Sequence, residues 1–245
     1  MRVGIIQSNY IPWRGYFDFI DDVDLFIFHD DLQYTKGDWR NRNKIKTPNR
    51  LVWLSVPVKY HSTSQHICDT PIDYSQRWQQ KHINRIKTNY YNAPFYRLFA
   101  DEFFSIINQN YDTISELNIS LIKWCMSKLS INTPLRISSE FGPVGSKTDR
   151  LIDILKKVNA NTYLSGPKAK DYIETEKFVS AGIQIEYKSY QYRDYPQLWG
   201  PFEPAVTILD LLFNCGEYSR EYLKSLCENE EYTEHYELSI NGYIS

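Results

Sequence analysis

Short apolar runs and longer amphipathic stretches alternate along most of the chain, and their spacing predicts an α/β fold. Short apolar runs bounded by turn residues are typical of buried strands, and apolar residues three and four positions apart are typical of helices. Strands separated by helices form parallel β-α-β units, so we expect a mostly parallel sheet. The predicted strands are Arg2–Gln7, Asp24–His29, Leu51–Val58, Pro134–Ser138, Thr162–Leu164 and Ile183–Tyr187. The predicted helices are Trp13–Ile20, Gln76–Tyr91, Phe95–Gln109, Ile114–Leu129, Lys147–Val158, Thr175–Ala181, Val206–Asn214 and Glu217–Asn229.

Three of the predicted helices follow one another without an intervening strand. They occupy about residues 76–130 and indicate a helical insertion, or helical subdomain, between the third and fourth predicted strands. The sequence Asn92-Ala93-Pro94 separates the first two helices, because proline cannot continue a helix and restricts the residue before it. The length of 245 residues fits one domain that spans residues 1–245.

The charge of the chain is close to balanced overall but not locally. A net charge of -2 and a pI of about 6.2 argue against a protein that coats nucleic acid, although a local basic cleft is compatible with them. Between Lys36 and Arg50, six basic residues stand against the single acidic residue Asp38. Aromatic residues make up 16% of the chain, with 20 tyrosines, and tyrosines can line a sugar or nucleotide site as well as pack in a core.

The chain lacks the sequence patterns of a secreted or membrane-spanning protein. No apolar run approaches the ~18 residues that cross a bilayer, and the short run after Arg2 is too brief for a signal peptide. Four cysteines stand far apart without paired spacing, which predicts reduced thiols and no metal site: Cys68, Cys125, Cys215 and Cys227. We therefore expect a soluble, cytoplasmic protein.

Two adjacent carboxylates, Asp30 and Asp31, directly follow the second predicted strand. Ligands of open α/β sheets bind outside the carboxyl ends of the strands. One aspartate could serve there as a general base, or both could help to hold a divalent ion. Since consecutive side chains of an extended chain point to opposite sides, we expect only one of the two to face a cleft. The alternative is a pair of turn-forming aspartates at a strand end.

Four basic residues, Arg40, Arg42, Lys44 and Lys46, occupy every second position after this pair. In an extended segment they would project from one side, roughly 6–7 Å apart, which suits a diphosphate or a carboxylate. A solvated charged face is the alternative interpretation. The neighbouring Trp39, Asn41 and Asn43 favour a binding site. The central hypothesis is that the acidic pair and the basic ladder open into one shared pocket.

Three further segments offer weaker candidates. His82 and Lys81 lie in a predicted helix, where His82 could act as a reserve acid or base near neutral pH or be a hydrogen-bonded structural residue. Ser165 and Gly166 directly follow a predicted strand, where Asp171 or Tyr172 could add polar contacts. Lys147-Thr148 begins a helix, but the leading glycine of a phosphate-binding loop is absent, so a helix cap is the preferred interpretation.

Taken in order along the chain, these segments resemble the WbqC-like family of bacterial proteins. The first quarter carries Gln7, Tyr10, Pro12-Trp13, Gly15-Tyr16-Phe17, Asp30-Asp31-Leu32-Gln33-Tyr34, Trp39-Arg40-Asn41-Arg42-Asn43 and Lys46-Thr47-Pro48. Later segments include Trp78, Lys81-His82, Ala93-Pro94, Lys147-Thr148-Asp149-Arg150-Leu151, Thr162-Tyr163-Leu164-Ser165-Gly166, Tyr195-Pro196-Gln197 and Asp210-Leu211-Leu212-Phe213-Asn214. The chain departs from the family pattern at Ser8, where a proline or small residue is expected, and at Lys168-Ala169, which replaces a glycine-rich pair.

The resemblance implies a role in O-antigen or surface polysaccharide synthesis, with a suggested glycine transferase activity. We expect a transfer of a glycyl group to the amine of a nucleotide-linked 4-amino-4,6-dideoxy sugar of the dTDP type. The acyl donor stays open between glycyl-tRNA, a carrier thioester and glycine activated by ATP. Asp30 or Asp31, with His82 in reserve, would be the base. The expected substrate-binding residues are Gln7, Tyr10, Trp13, Tyr16, Gln33, Trp39, Arg40, Asn41, Arg42, Asn43, Lys44, Lys46, Lys81, Ser165 and Gly166.

The first strand, turn and helix also look like the start of the nucleotidylyltransferase group of Rossmann-like folds. In that group a phosphate lies at the amino terminus of the first helix, where free N–H groups favour an anion. Tyr16 replaces the second histidine of that group's motif, and no first histidine precedes Gly15. Two other functions stay open: a nucleotidyl- or adenylate-forming enzyme that uses ATP and magnesium, and a non-catalytic protein that binds a nucleotide sugar. The sequence determines neither the cofactor nor whether the protein is a homo-oligomer.

Overall fold

The computed structural model describes residues 1–232, and a six-stranded sheet forms the centre of this part. Its strand order is β5-β2-β1-β6-β7-β8, and every pairing is parallel except that of β7 with the short β8. The strands of this sheet are β1 (Arg2–Ile6), β2 (Leu25–Phe28), β5 (Leu135–Ile137), β6 (Thr162–Ser165), β7 (Gln184–Tyr187) and β8 (Glu230–Glu231). The α/β, Rossmann-like prediction is therefore confirmed.

Apolar side chains of the strands point alternately to the two faces of the sheet. Helices therefore cover both faces, and each face belongs to a separate core. Phe26 and Phe28 of β2 belong to the larger core, whereas Ile27 belongs to the smaller one. The helices are α1 (Arg14–Asp21), α2 (Trp78–Tyr90), α3 (Tyr96–Ile107), α4 (Ile114–Lys128), α5 (Lys147–Lys157), α6 (Thr175–Ser180) and α7 (Ile208–Cys215). Helices α1 to α4 and α7 pack in the larger core, and α5 and α6 pack in the smaller one.

The three consecutive helices expected at about residues 76–130 are present as α2, α3 and α4. The break at Asn92-Ala93-Pro94 lies between α2 and α3. A capping box begins α4, in which the Thr113 hydroxyl accepts a hydrogen bond from the backbone N–H of Glu116 and the Glu116 carboxylate accepts one from the backbone N–H of Thr113. Together with α7, these helices contribute seven buried aromatic side chains to the larger core: Trp78, Tyr90, Tyr96, Phe99, Phe103, Trp124 and Phe213.

The third predicted strand, Leu51–Val58, is not part of the central sheet. It forms β4 (Leu51–Ser55), which pairs antiparallel with β3 (Arg42–Lys46) in a separate two-stranded hairpin. Only four residues connect the two strands, and a connection this short permits an antiparallel hairpin but no parallel crossover. The prediction of a third strand in the sheet was wrong for this reason.

The last predicted helix, Glu217–Asn229, is also incorrect. A 3-10 helix spans Gly216–Tyr222, and the chain beyond it is irregular up to β8. Polar contacts hold this segment against α1: the backbone N–H of Ser225 donates to Asp18, and the Asn229 side chain donates to Asp22. These long-range bonds compete with helical hydrogen bonds, which periodicity alone cannot show. No helix within residues 1–232 is long and apolar enough to cross a membrane.

Candidate functional site

A cavity of about 670 Å³ opens at the carboxyl ends of β1 and β6. β2 and β5 lie on one side of β1, whereas β6 and β7 lie on the other, so the strand order changes direction between β1 and β6. Ligands of open α/β sheets bind at this kind of switch point. The volume lies within the range of pockets that hold small molecules.

Aromatic side chains form much of the cavity wall. They come from the turn after β1 (Trp13), the segment before the hairpin (Trp39), the region around β6 (Tyr163 and Tyr172) and the chain after β7 (Tyr190). The rings of Trp13 and Tyr190 lie 5.2 Å apart, while Trp39 and Tyr172 are 44% and 70% exposed. Exposed ring faces beside a cavity offer stacking surfaces for a flat base or for the apolar face of a sugar.

The polar groups of the cavity are mainly uncharged. The lining includes three residues with amides, Gln7, Asn9 and Asn43, together with Ser165 and one charged residue, Lys168. The Gln7 Oε1 accepts a hydrogen bond of 2.5 Å from Arg40, which fixes the side-chain amide. The Asn9 Oδ1 is buried and has no hydrogen-bond partner among the described residues. Unmatched buried acceptors are rare, so Asn9 is suited to receive a hydrogen bond from a ligand.

The turn after β1 is held in an unfavourable backbone conformation. Ile11 has a φ of 42°, which a β-branched residue rarely adopts. The Asn43 side chain donates 2.8 Å to the Ile11 carbonyl, and the backbone N–H of Ile208 donates 2.8 Å to Pro12. Backbone strain that surrounding contacts maintain is common at functional sites. Here the strained turn presents Pro12 and Trp13 to the cavity.

Trp13 lies against the first turn of α1. A Cβ atom at Gly15 would be only 2.3 Å from the Trp13 ring, so this close packing requires glycine. The indole therefore packs on the part of α1 where nucleotidylyltransferase-like proteins would hold a phosphate. The resemblance of the first strand and helix is therefore one of fold and carries no argument for an anion at this helix.

The structure separates Asp30 and Asp31 and places neither in the cavity wall. Asp30 is fully buried and accepts hydrogen bonds from the Ser8 N–H at 2.7 Å and from the Ser115 hydroxyl at 2.5 Å. Burial raises the pKa of this carboxyl group, and the two hydrogen bonds oppose the shift. Asp30 thereby connects the end of β2 with the turn after β1 and with α4.

Asp31 points to a different part of the molecule, as expected for consecutive side chains. It accepts a hydrogen bond from Ser138 and forms an ion pair with Arg150. Burial would raise the pKa of Asp31, but the Ser138 bond and the neighbouring His29 and Arg150 hold it below its usual value. The same burial lowers the pKa of His29 to about 4, against the opposing charge of Asp31. Asp30 and Asp31 thus belong to two different polar clusters.

The four basic side chains of the ladder also separate. Arg42 and Lys44 do project from one side of β3, where Arg42 Cζ is 4.3 Å and Lys44 Nζ 4.9 Å from the centroid of the Trp53 ring. Arg40 instead binds Gln7 and lies 3.6 Å from Asp38. None of these side chains lines the cavity.

Lys46 has the most unexpected position of the four, because it is buried. Its Nζ donates to Gln197 at 2.7 Å and to the Pro201 carbonyl at 2.5 Å. Asp210, also buried, accepts a hydrogen bond from Tyr90, and the Tyr90 hydroxyl in turn accepts one from the Lys46 backbone. The hypothesis of one pocket shared by the acidic pair and the basic ladder is therefore not supported by the geometry.

His82 is buried away from the cavity, and both of its ring nitrogens have partners. Nδ1 lies 2.8 Å from the Tyr10 hydroxyl and Nε2 lies 3.1 Å from the Ser55 carbonyl. A carbonyl can only accept, so Nε2 carries the proton and Tyr10 donates to Nδ1. Burial lowers the pKa of His82 to about 3. These contacts fit the structural alternative for His82.

The remaining predicted residues are distributed as follows. Six line the cavity: Gln7, Trp13, Trp39, Asn43, Ser165 and Gly166. Of the others, Tyr10 and Tyr16 are buried, with the Tyr16 hydroxyl donating to the Gln7 carbonyl, and Asn41 donates to the Val56 carbonyl. Gln33 and Lys81 are exposed outside the cavity.

Sequence reasoning missed several cavity residues. Asn9, Tyr163, Lys168 and Tyr190 line the cavity but were not among the candidates, and Tyr172 was considered only for a polar contact. The turn after β1 was visible as a polar segment, so Asn9 could have been included. No local pattern indicates that Tyr190 meets the ends of β1 and β6.

One other group of side chains has the composition of a metal site. His66, Cys68 and Asp69 each place a ligand atom within 4.8 Å of the other two. Burial raises the pKa of the Cys68 thiol to about 11, and nearby aspartates add to the shift. His66 and Asp69 are exposed, and exposed groups of this kind are common without an ion, so we assign no metal to them.

Comparison with known proteins places this fold and cavity in a family. The WbqC-like protein family matches residues 7–222, which include all the cavity-lining residues except Ile5 and Ile6, and the chain belongs to this family. It is 44% identical over 226 residues to the uncharacterized protein Rv1507c of Mycobacterium tuberculosis, with 91% of this chain and 97% of that protein covered. No solved structure gives a significant match.

Proposed function

We propose that the protein binds a dTDP-type nucleotide 4-amino-4,6-dideoxy sugar in the cavity between β1 and β6 and transfers a glycyl group to its amine. The observation that carries the proposal is the position and lining of the cavity. It lies at the switch point of the sheet, its walls are aromatic, and its few polar groups are mostly amides and a hydroxyl. Such a lining suits a flat base and a deoxy sugar better than a triphosphate with magnesium.

The reaction needs the sugar amine to attack the acyl carbon of the donor. An amide bond forms, the bond to the donor's leaving group breaks, and the amine's proton goes to the departing atom. Among the described residues no carboxylate or imidazole lines the cavity, so the main contribution is to hold the two reactants together. The Gln7 amide, which Arg40 fixes, and the Lys168 ammonium group are the donors available to the developing oxyanion.

This proposal changes the roles given to the charged residues of the first quarter. Asp30 and His82 support the turn and the helices around the cavity, and neither acts as the base. Arg40 acts through Gln7 and has no direct contact with a diphosphate. Lys168 replaces the basic ladder as the charged group that meets the phosphates or the acyl group.

Titration calorimetry with a dTDP-linked 4-amino-4,6-dideoxy sugar tests the site. Tyr172→Ala removes a ring that is 70% exposed at the cavity, and we expect affinity to fall about tenfold, because one stacked ring contributes ~1–3 kcal/mol. Tyr218→Ala is the matched control, since Tyr218 is a 54% exposed tyrosine outside the cavity. Equal affinities of the two variants would contradict the proposed site.

Mass spectrometry of the products tests the reaction itself. A mass increase of the sugar by one glycyl group supports the transfer. Release of pyrophosphate from ATP in the presence of magnesium would instead identify an adenylate-forming enzyme. Tight sugar binding without a product from any glycyl donor would leave a non-catalytic binding protein.

A further inference from the structure

Positive charge is concentrated in one part of this nearly balanced chain. Residues 36–87 contain eleven Lys and Arg but only three Asp, although the whole chain has a net charge of -2. This segment comprises the β3-β4 hairpin and most of α2, together with the chain that surrounds them. The remainder of the chain is therefore strongly acidic.

The cations of this segment are also largely unpaired. Within residues 1–232, Arg40 is the only one of the eleven with a carboxylate oxygen closer than 4.0 Å. Among the other described residues, eleven of the seventeen Lys and Arg form such an ion pair. A concentration of unpaired cations produces a positive potential that attracts a polyanion.

Several of these cations surround an indole. Arg42 and Lys44 lie over the Trp53 ring, and Arg85 of α2 donates 2.9 Å to the Trp53 carbonyl. Lys81 lies one helical turn before Arg85, and the side chains of both are exposed. We call Trp39, Arg42, Lys44, Trp53, Lys81 and Arg85 the basic surface.

Trp39 connects the basic surface with the cavity. Its ring centroid is 5.6 Å from that of Trp53, and its side chain also lines the cavity. It is 44% exposed, which is unusual for an indole and leaves part of the side chain accessible to a nucleobase. Exposed aromatic rings among cations are typical of proteins that bind single-stranded nucleic acid, where rings stack on bases and cations contact phosphates.

We propose that the basic surface binds RNA and that the glycyl donor is an aminoacylated RNA whose 3′ end enters the cavity past Trp39. The second part rests on the proposed function, whereas RNA binding does not. The reaction balances without another reactant. The sugar nitrogen forms an amide bond with the acyl carbon, the ester C–O bond to the terminal ribose breaks, and the ribose hydroxyl leaves with the amine's proton.

Fluorescence anisotropy with uncharged glycine tRNA tests the surface. The triple variant Lys44→Glu, Lys81→Glu, Arg85→Glu should bind at least tenfold more weakly than the wild type. Its log–log dependence on salt should flatten by about 2, since each phosphate contact with a single strand contributes a slope of ~0.7. The matched control is Lys123→Glu, Lys147→Glu, Lys156→Glu, which reverses three exposed cations that also lack a carboxylate partner in residues 1–232, and its affinity should stay within twofold of the wild type.

Equal loss of affinity in the two triple variants would overturn the location. If heparin competes as well as unlabelled tRNA does at the same concentration of negative charge, the surface binds polyanions in general and RNA is not its specific ligand. Titration of the dTDP-linked sugar into the basic-surface variant separates this inference from the proposed function. If the basic-surface variant binds both the sugar and tRNA as the wild type does, only the inference about the basic surface is contradicted. If the wild-type protein binds tRNA but no sugar, only the proposed transferase function is contradicted.

Discussion

Burial gives individual ionisable residues roles that their positions in the sequence do not reveal. His82 directly follows Lys81 and lies one helical turn after Trp78, which suggested a reactive imidazole. In the fold, Tyr10 and Ser55 occupy both ring nitrogens, and the pKa of about 3 keeps the ring neutral at any physiological pH. Its contribution is therefore to stability, and that contribution depends on pH.

The pH dependence of unfolding should show this role of His82. An unfolded histidine takes up a proton near pH 6.5, but the folded His82 does so only near pH 3, so acid favours the unfolded state. We expect the stabilisation to be complete above about pH 6.5 and to fall below it by about 1.4 kcal/mol per pH unit for this residue. His29, with its pKa of about 4, adds a similar loss in the same range.

Urea unfolding between pH 7 and pH 4.5 measures the effect. His82→Gln should lower stability at pH 7 by about 1–3 kcal/mol, because buried hydrogen bonds are lost, and should reduce the slope below pH 6.5. His61→Gln, at an exposed position, is the control and should follow the wild type. An unchanged slope in His82→Gln would contradict the assignment.

At the scale of elements, Asp30 joins three parts of the fold through two buried hydrogen bonds. Asp30→Ala should lower stability by about 2–4 kcal/mol, because the Ser8 N–H and the Ser115 hydroxyl lose their acceptor. Asp30→Asn should be nearly neutral, since its carbonyl can accept from Ser8 and its amide can donate to Ser115. Chemical denaturation of both variants measures the difference. If Asp30 were instead the general base, Asp30→Asn would abolish turnover in a protein of normal stability.

The contact of α1 with the turn after β1 shapes the cavity wall. Gly15→Ala places a methyl group where the Trp13 ring now lies, so the indole must move. We expect a loss of about 1–3 kcal/mol in stability and at least tenfold weaker binding of the nucleotide sugar. Gly166→Ala is the control for stability, because no atom lies within 4 Å of its added Cβ and the melting temperature should not change. Normal sugar affinity in Gly15→Ala would show that Trp13 does not form the site.

At the scale of the whole molecule, the sequence predicts what depends on local periodicity. Alternating short and long apolar segments predicted the five parallel strands, α1 to α7 and the α/β class. Local alternation also predicted that Arg42 and Lys44 share a side of their strand. The local pattern could not show that these two side chains lie over the Trp53 ring, because this contact depends on the pairing of β3 with β4.

The candidate site could be predicted only in part, because its walls come from distant segments. Pairing of β1 with β6 brings Gln7 and Ser165 to the same cavity, and the chain after β7 adds Tyr190. Lys46 was placed in the ladder because of its spacing, yet Gln197 and Pro201, about 150 residues away, hold it inside the fold. Contacts at this sequence separation leave no trace in the local pattern.

A crystal structure of the protein with a dTDP-linked 4-amino-4,6-dideoxy sugar would show whether the cavity holds the ligand. We expect electron density for the ligand in the cavity between β1 and β6, against the Trp39 or Tyr172 ring and within hydrogen-bond distance of Gln7 or Lys168. Density for the sugar on the outer face of the hairpin beside Arg42, or at the cluster of Asp31 and Arg150, with the cavity containing only solvent, would contradict it.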